Sequence, residues 1–323
     1  MKAIVNTGVN KLEMLELPMP QPGPGQVRIR TGACGICATD LVMLAGWERT
    51  GHPAIPGHEW SGTVDAVGPA VDSALAGRRC VANNVWADGG EVGFEHSGGY
   101  GQYFLTEAAN LRFLPDDFPF ATAALIEPLA VCVRATHRLG QCAGPVLVSG
   151  DGPIGLLMTA LLAHAGVKDI LVVGGREQRL AVARDFGASR TLNYHAAGGN
   201  LADEIRGMAG DAVPTVVEAT GSPAALQMVF GLVLREGTLL ILGDYGLSRA
   251  DFPWNAVLIR ELTLLGSNAS AGGWDEAVGL AVGGQIALQR LVTQRLPAQR
   301  FAEGVQMTAS RRADVIKVIL DWE

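Results

Sequence analysis

The amino-acid sequence predicts an α/β protein in which a β-rich first part precedes a doubly wound parallel sheet. Short extended runs separated by proline and glycine dominate the chain up to about residue 126. From residue 127 onward strand and helix patterns alternate, which is typical of a parallel sheet covered by helices. A glycine-rich turn, Gly150-Asp151-Gly152-Pro153-Ile154-Gly155, connects the first of these later strands to an apolar helix.

The predicted strands of the first part are short and are bounded by turn residues. They cover residues 2–6, 27–31, 61–67 and 79–82. The prolines and glycines between residues 18 and 25 predict a stiff connecting loop. This pattern indicates an all-β, barrel-like domain.

The second part alternates regularly between the two kinds of element. Strands are predicted at residues 146–149, 170–173, 215–219, 238–242 and 262–265, and helices at 156–165, 177–186 and 223–234. The first of these helices is apolar on all sides, which is typical of a buried helix.

Bulk composition narrows the class of protein. A chain of 323 residues suggests two domains. The net charge of −7 argues against nucleic-acid partners, which usually bind basic surfaces.

The apolar stretches and the cysteines predict a cytoplasmic location. The longest apolar stretch, residues 156–165, is too short to cross a membrane, and no apolar leader of the signal-peptide type precedes the first strand. Five cysteines without an export signal predict reduced thiols and a cytoplasmic protein.

Four side chains are candidate metal ligands. Cys37, His58, Glu59 and Glu127 supply a thiol, an imidazole and two carboxylates, the ligand types that zinc prefers. Each also has an ordinary structural interpretation. Cys37 could be a packed thiol, Glu59 a carboxylate behind the ligands, and Glu127, followed by Pro128, an acid in the first turn of a helix.

The order of these motifs resembles the medium-chain zinc-dependent alcohol dehydrogenase family, closest to its sorbitol and threonine dehydrogenase branch. The stretches that carry the resemblance are Gly35-Ile36-Cys37-Ala38-Thr39-Asp40, Pro56-Gly57-His58-Glu59-Trp60-Ser61-Gly62, Glu127-Pro128-Leu129 and the glycine-rich turn. The likeness runs over nearly the whole chain. It implies a GroES-like catalytic domain over residues 1–126, completed by 269–323, and a Rossmann dinucleotide-binding domain over 127–268.

The resemblance also implies one catalytic zinc. Cys37 and His58 are its expected ligands, with Glu59 as the third in the resting state and Glu127 close by and able to exchange. Whether Glu59 or Glu127 is the third ligand stays open at this point. The family often has a four-cysteine lobe for a second, structural zinc, but residues 83–100 contain no cysteine, so we expect no structural zinc.

Two further residues around the metal, Asp40 and Thr39, take their expected roles from the resemblance. Asp40 is expected to hydrogen-bond the metal-binding histidine, and the Thr39 hydroxyl to pass a proton from the substrate; either residue could instead cap a helix. Threonine dehydrogenases of this branch carry a histidine five residues after the metal cysteine. Val42 stands there, which makes threonine a poor expected substrate.

The glycine-rich turn predicts a dinucleotide site. Gly150 permits the tight turn, Gly152 lets the backbone approach the pyrophosphate, and Gly155 lets helix and strand pack closely. Pro153 and Ile154 lie in the turn just before the predicted helix, whose N-terminal N–H groups favour the bound anion.

The end of the second strand of this domain predicts a preference for NADP. NAD enzymes usually place an acid there for the ribose 2′-hydroxyl, but Gly174 takes its place and Arg176 can bind a 2′-phosphate. Alternatively, Arg176 is a solvated charge and Glu177 serves NAD. Arg179 is expected beside the adenine or the phosphate. By resemblance Lys317 is expected to meet the cofactor phosphates, unless it is a plain surface lysine.

Together these features predict a cytoplasmic, zinc-dependent, NADP- or NAD-linked dehydrogenase. It is expected to oxidise a secondary alcohol of a polyol, sugar or cyclitol to a ketone, or to catalyse the reverse, as a homodimer or homotetramer. Two alternatives differ in chemistry. One is a zinc-free quinone or enoyl reductase of the same superfamily, and the other is a non-enzymatic NADP-binding protein.

Overall fold

The structure is a computed structural model, and it describes residues 1–142, 144–249, 252–310 and 312–322. The chain divides into two compact units, Met1–Ala130 with Trp274–Glu323, and Val131–Gly273. The boundaries predicted from the sequence, at 126/127 and 268/269, lie a few residues before these. The C-terminal segment belongs to the first unit.

The first unit begins with strands that are bounded by tight turns. In chain order its elements are β1 (Lys2–Gly8), β2 (Lys11–Glu16), β3 (Gln26–Gly35), α1 (Ala38–Leu44), β4 (Glu59–Val67), β5 (Arg79–Ala82), β6 (Tyr103–Glu107), β7 (Leu111–Phe113) and α2 (Phe120–Ala123), followed by α3 (Ile126–Leu139). β1 and β2 form an antiparallel hairpin.

The second unit alternates strands and helices. Its elements are β8 (Val146–Ser149), α4 (Pro153–His164), β9 (Ile170–Gly174), α5 (Glu177–Asp185), β10 (Arg190–Asn193), α6 (Leu201–Ala209), β11 (Val213–Glu218), α7 (Pro223–Phe230), β12 (Val233–Ile241), α8 (Trp254–Ile259) and β13 (Thr263–Gly266). The six strands are parallel in the order β10-β9-β8-β11-β12-β13. This is the 3-2-1-4-5-6 order of a Rossmann sheet, whose cofactor lies where the strand order reverses.

The chain then returns to the first unit with α9 (Trp274–Val282), β14 (Val292–Pro297), α10 (Phe301–Ala309) and β15 (Lys317–Asp321). The large sheet of this unit has the order β14-β15-β3-β4-β5-β7, and β6 also pairs with β3. β15 runs antiparallel to β3, with Ile319 opposite Gly35. This pairing places the start of β15 next to the loop that leaves β3.

The structure confirms the predicted fold class, a β-rich domain together with a doubly wound parallel sheet, and corrects some of its elements. β10 and α6 were not predicted from the sequence. The helix predicted at 223–234 ends at Phe230, because β12 begins at Val233. Among the described residues, no helix has the length and apolar character needed to cross a membrane.

Candidate active site

Cys37 lies at the junction between β3 and α1. It is the N-cap residue of α1, and its backbone N–H donates to Asp40 Oδ2 at 2.8 Å. Asp40 is the third residue of the helix, so its carboxylate satisfies an amide that the helix itself leaves open. This local capping fixes the direction in which the Cys37 thiol leaves the backbone.

His58 and Glu59 lie where β4 begins, beside the end of β3. Gly57 precedes them with φ +99°, a conformation that L side chains rarely adopt. A Cβ built on Gly57 would also lie 2.6 Å from the ring of Tyr100. Glycine at this position therefore allows the chain to turn sharply and to present two consecutive polar side chains.

The structure brings three of the four predicted metal ligands together. The ligand atoms of Cys37, His58 and Glu59 all lie within 4.8 Å of one another, and Glu127 is not part of this group of described residues. Glu127 lies in the first turn of α3. Burial raises the pKa of the Glu127 carboxyl to about 7, with Glu59 adding to the effect and His58 opposing it.

The chemistry of these donors fits a zinc ion. Glu59 is 1% exposed, and its Oε2 is buried without a hydrogen-bond partner. An unpaired buried carboxylate oxygen is costly, and a cation on the side of Cys37 and His58 would remove that cost. A thiol, an imidazole and a carboxylate together are a zinc set that can leave one position open.

Asp40 lies beside the imidazole, but the expected hydrogen bond to His58 is not formed, because Asp40 Oδ1 and His58 Nδ1 are both buried without a hydrogen-bond partner. Its Oδ1 lies 3.4 Å from His58 Nδ1, and its Oδ2 accepts from the Tyr100 hydroxyl at 3.2 Å as well as from Cys37. Asp40 therefore serves both as helix cap and as neighbour of the imidazole. Tyr100 was not predicted, because nothing in the local sequence connects it with Asp40. The Thr39 hydroxyl lies 3.5 Å from Cys37 Sγ, within the same cluster.

Lys317 takes a different place from the one expected. Its ammonium is buried, donates to Glu59 Oε1 and lies 3.4 Å from the carbonyl oxygen of Ile36. We expected this lysine to meet cofactor phosphates, but the structure gives it Glu59 as its partner. The pairing of β15 with β3 brings it there, across 258 residues of sequence.

An aromatic and ionic cluster covers the imidazole. The ring of Phe94 lies 5.0 Å from that of His58, and the Arg49 guanidinium lies 4.4 Å from the Phe94 centroid. Arg49 binds Glu95 through two nitrogens, at 2.8 and 3.0 Å, and Glu91 at 2.8 Å. These contacts tie Glu91, Phe94 and Glu95 to Arg49 within the segment 83–100, where the family often has a four-cysteine lobe.

The glycine-rich turn has the geometry of a dinucleotide cradle. Gly150 has φ +121°, and a Cβ on Gly155 would overlap the carbonyl oxygen of Gly150. A Cβ on Gly152 would meet nothing within 4 Å, so open space lies over this residue. Gly152 is the N-cap of α4, Pro153 follows it as the first helical residue, and Ile154 continues the first turn. The free N–H groups of that turn are available for a phosphate.

Gly174 is the last residue of β9, and the side chain next to it comes from the glycine-rich turn that follows β8. Asp151, in the glycine-rich turn, places its Oδ2 2.9 Å from the backbone nitrogens of Gly175 and Arg176. Its Oδ1 lies 3.2 Å from Arg176 Nη1 and 3.9 Å from Arg179 Nη1. Asp151 was not among the site residues predicted from the sequence.

Two family sequence models match the chain. The model described as alcohol dehydrogenase GroES-like domain matches residues 23–116, and the one described as zinc-binding dehydrogenase matches residues 153–282. Both matches agree with the two units of the structure.

Curated relatives align from end to end. The chain is 28% identical to the L-threonine 3-dehydrogenase of Saccharopolyspora erythraea, over 100% of this chain and 99% of the relative. It is also 28% identical to that of Xanthomonas euvesicatoria pv. vesicatoria, over 100% of both.

Solved structures match with the same completeness. An alcohol dehydrogenase from E. coli CFT073, complexed with NADH, has a TM-score of 0.92 and 25% identity and covers 100% of this chain and 99% of its own. A putative zinc-binding dehydrogenase from Sinorhizobium meliloti 1021, bound to NADP, has a TM-score of 0.91 and 26% identity. The match covers 99% of this chain and 98% of the solved one. With its two domain matches, its full-length dehydrogenase relatives and its cluster of zinc-type donors, the chain belongs to the medium-chain zinc-dependent alcohol dehydrogenase family.

Proposed function

We propose that this enzyme oxidises a secondary alcohol of a polyol, sugar or cyclitol to a ketone, or reduces the ketone, with one zinc ion and a nicotinamide cofactor. The observation that carries the proposal is the convergence of Cys37, His58 and Glu59, whose ligand atoms lie within 4.8 Å of one another. When bound, zinc polarises the substrate oxygen and the nicotinamide accepts the hydride from the carbinol carbon.

The side chains of the cluster divide the remaining work. Cys37, His58 and Glu59 would hold the metal, and Asp40, 3.4 Å from His58 Nδ1, would orient the imidazole. Lys317 holds Glu59 through Oε1 and so leaves Oε2 as the carboxylate oxygen for the metal.

Thr39 is the residue that we assign to proton transfer. Its hydroxyl lies 3.5 Å from the thiol of Cys37, so it is within the donor cluster and can accept the proton of the substrate hydroxyl and pass it to water. Thr39→Val is therefore expected to lower kcat without loss of zinc, whereas Thr39→Ser keeps the hydroxyl and much of the rate.

The polyol class rests on the resemblance to the sorbitol dehydrogenase branch and on Val42. This residue is 42% exposed and stands where threonine dehydrogenases carry a histidine. A valine can neither hydrogen-bond an amino acid substrate nor relay its proton. L-Threonine is the second candidate substrate, because the full-length curated relatives are L-threonine 3-dehydrogenases.

A substrate panel with the zinc-loaded enzyme tests the proposal. Polyols, sugars and cyclitols are compared with L-threonine, each with NAD and with NADP, and with Cys37→Ser as the inactive control. We expect a higher kcat/KM for at least one hydroxyl-rich substrate than for threonine. A higher kcat/KM for L-threonine than for every polyol would assign the enzyme to the second candidate.

We also propose that the enzyme is a cytoplasmic homo-oligomer. All five cysteines are free thiols, which suits a reducing compartment.

The surface around β13 suits an interface between two copies of the chain. β13 is the last strand of its sheet, and nearby α8 exposes Trp254, Leu258 and Ile259 at 68%, 75% and 60%. An open strand edge beside apolar side chains suits pairing with a second copy. The molar mass measured by light scattering should be that of a dimer or tetramer. Leu258→Glu should weaken this assembly and raise the fraction of monomer.

A further inference from the structure

We propose that Asp151 excludes the 2′-phosphate of NADP and gives this enzyme its preference for NAD. The inference rests on the proposed function, because it concerns the cofactor that the enzyme uses. An NAD preference set by Asp151 is the opposite of the preference predicted from the sequence, in which Gly174 and Arg176 favour NADP.

The first step is the position of the carboxylate. In a Rossmann domain the adenosine ribose lies at the end of the second strand, where an acid usually meets its 2′-hydroxyl. Here that strand is β9, and it ends at Gly174. A Cβ built on Gly174 would lie 2.5 Å from Asp151 Cβ and 2.8 Å from Asp151 Oδ2. Position 174 therefore has no acid of its own, but the carboxylate of Asp151 reaches the same place from the neighbouring glycine-rich turn.

The second step concerns the donors that a 2′-phosphate would need. The backbone N–H groups of Gly175 and Arg176 both donate to Asp151 Oδ2 at 2.9 Å. The Arg176 guanidinium contacts Asp151 Oδ1 at 3.2 Å, and Arg179 approaches the same oxygen. Asp151 therefore occupies two amides and one arginine that would otherwise form a phosphate site.

The third step is the electrostatic balance. The side chain of Asp151 is 7% exposed, and its charge is balanced by Arg176 at 3.2 Å and Arg179 at 3.9 Å, so these guanidiniums are already paired when a phosphate approaches. A 2′-phosphate would have to approach this carboxylate and replace it on its own donors. The uncharged 2′-hydroxyl of NAD can bind without repulsion from Asp151 and without displacing it from its donors.

The neighbouring glycines are consistent with this arrangement. A side chain at position 174 would collide with Asp151, and a Cβ on Gly175 would lie 2.5 Å from the ring of Tyr194. Gly174 is therefore required by the packing of Asp151. Its presence need not reflect room for a phosphate.

The test measures dinucleotide binding directly by titration calorimetry. Dissociation constants for NADH and NADPH are compared in the wild type, in Asp151→Ala, which opens the donors, and in Asp151→Asn, which keeps the size but removes the charge and replaces one acceptor oxygen by an NH2 donor. Binding of 2′,5′-ADP and ADP gives the contribution of the 2′-phosphate without the nicotinamide. Asp169→Asn is the matched control, because Asp169 pairs with Arg190 and immediately precedes β9, at the end opposite Gly174.

We expect the wild type to bind NADH more tightly than NADPH by about tenfold or more, the scale of one charged hydrogen bond. Asp151→Ala should shift this ratio at least tenfold toward NADPH, and Asp169→Asn should leave it unchanged. A wild type that binds NADPH more tightly, or a shift below tenfold in both variants, overturns the proposal. If Glu177→Gln shifts the ratio instead, Glu177 is the discriminating acid and the proposal is wrong.

The outcome separates this inference from the proposed function. If the wild type binds both dinucleotides and neither Asp151 variant changes their ratio, only the role of Asp151 is refuted. If the wild type binds neither dinucleotide, the dehydrogenase function is refuted and this inference with it.

Discussion

At the scale of single residues, the site depends on side chains that have two neighbours at once. Asp40 caps α1 and also lies beside His58, while Glu59 has one oxygen on Lys317 and the other without a hydrogen-bond partner. Such a residue contributes both to the geometry of the donor group and to the stability of the surrounding structure. Substitutions here should therefore divide into those that lose metal and those that lose stability.

Cys37 should affect metal content alone. Cys37→Ala removes one zinc donor from a half-buried position, so we expect zinc content to fall from about one per chain to near zero while the circular dichroism spectrum is retained. Cys34→Ala is the control: Cys34 is fully buried and outside the donor group, and should keep its zinc. Equal zinc loss in both variants would instead favour a site built on the Cys34–Cys37 pair.

Lys317 should affect stability more than cofactor binding. Lys317→Met leaves the Glu59 carboxylate buried without its cation, which typically costs about 3–5 kcal/mol. We expect this loss in urea unfolding with a chelator present, and a smaller loss with excess zinc, because the metal then neutralises Glu59. The double variant Glu59→Gln with Lys317→Met should recover part of the stability. Unchanged stability together with weaker NADH binding would restore the expectation that Lys317 meets the cofactor phosphates.

At the scale of elements, local patterns were sufficient for some parts and insufficient for others. The strand–turn–helix unit of β8 and α4 was predictable, because its glycines and apolar helix are contiguous in sequence. β10 was not, since its four residues, Arg190–Asn193, include a single apolar side chain, Leu192, and none of the four is fully buried. Residue type and the resemblance to the family pointed to Cys37, His58 and Glu59, whose ligand atoms lie within 4.8 Å of one another. The partners Lys317 and Asp151 were not predictable, because sheet pairing and side-chain reach bring them into place.

The segment 83–100 is an element whose stability should depend on pH. The hydrogen bonds from Arg49 lower the pKa of the Glu95 carboxyl to about 2, well below its usual value of 4.5. A carboxyl with a lowered folded-state pKa stabilises the fold above the unfolded pKa, and this contribution is lost as the pH falls from about 4.5 toward 2.

Unfolding measurements with Glu95→Gln test this dependence. The wild type should be more stable than the variant by up to about 1 kcal/mol at pH 6, as expected for an ion pair on a partly exposed side chain. The difference should shrink as the pH is lowered to 3. In an Arg49→Met background, Glu95→Gln should have little effect at either pH. A difference that stays constant from pH 6 to pH 3 would show that Arg49 does not lower the pKa.

At the scale of the whole molecule, the two chemical components belong to different units. The proposed zinc donors Cys37, His58 and Glu59 all lie in the unit formed by Met1–Ala130 and Trp274–Glu323, whereas the glycine-rich turn and Asp151 lie in Val131–Gly273. Each ligand should therefore stabilise its own unit first. A ligand at a hundred times its dissociation constant stabilises the state that binds it by about 2.7 kcal/mol.

Hydrogen exchange read by mass spectrometry can follow the two units separately. Zinc added to the chelated enzyme should slow exchange in peptides from β3 and β4, where the donors are attached, and have less effect on β8 and β9. NADH should do the reverse, with protection concentrated in β8, α4 and β9. Cys37→Ala should abolish the response to zinc and keep the response to NADH. If NADH protects β3 and β4 as strongly as β8 in the chelated enzyme, the two units respond as one cooperative body, and assigning each ligand to its own unit is wrong.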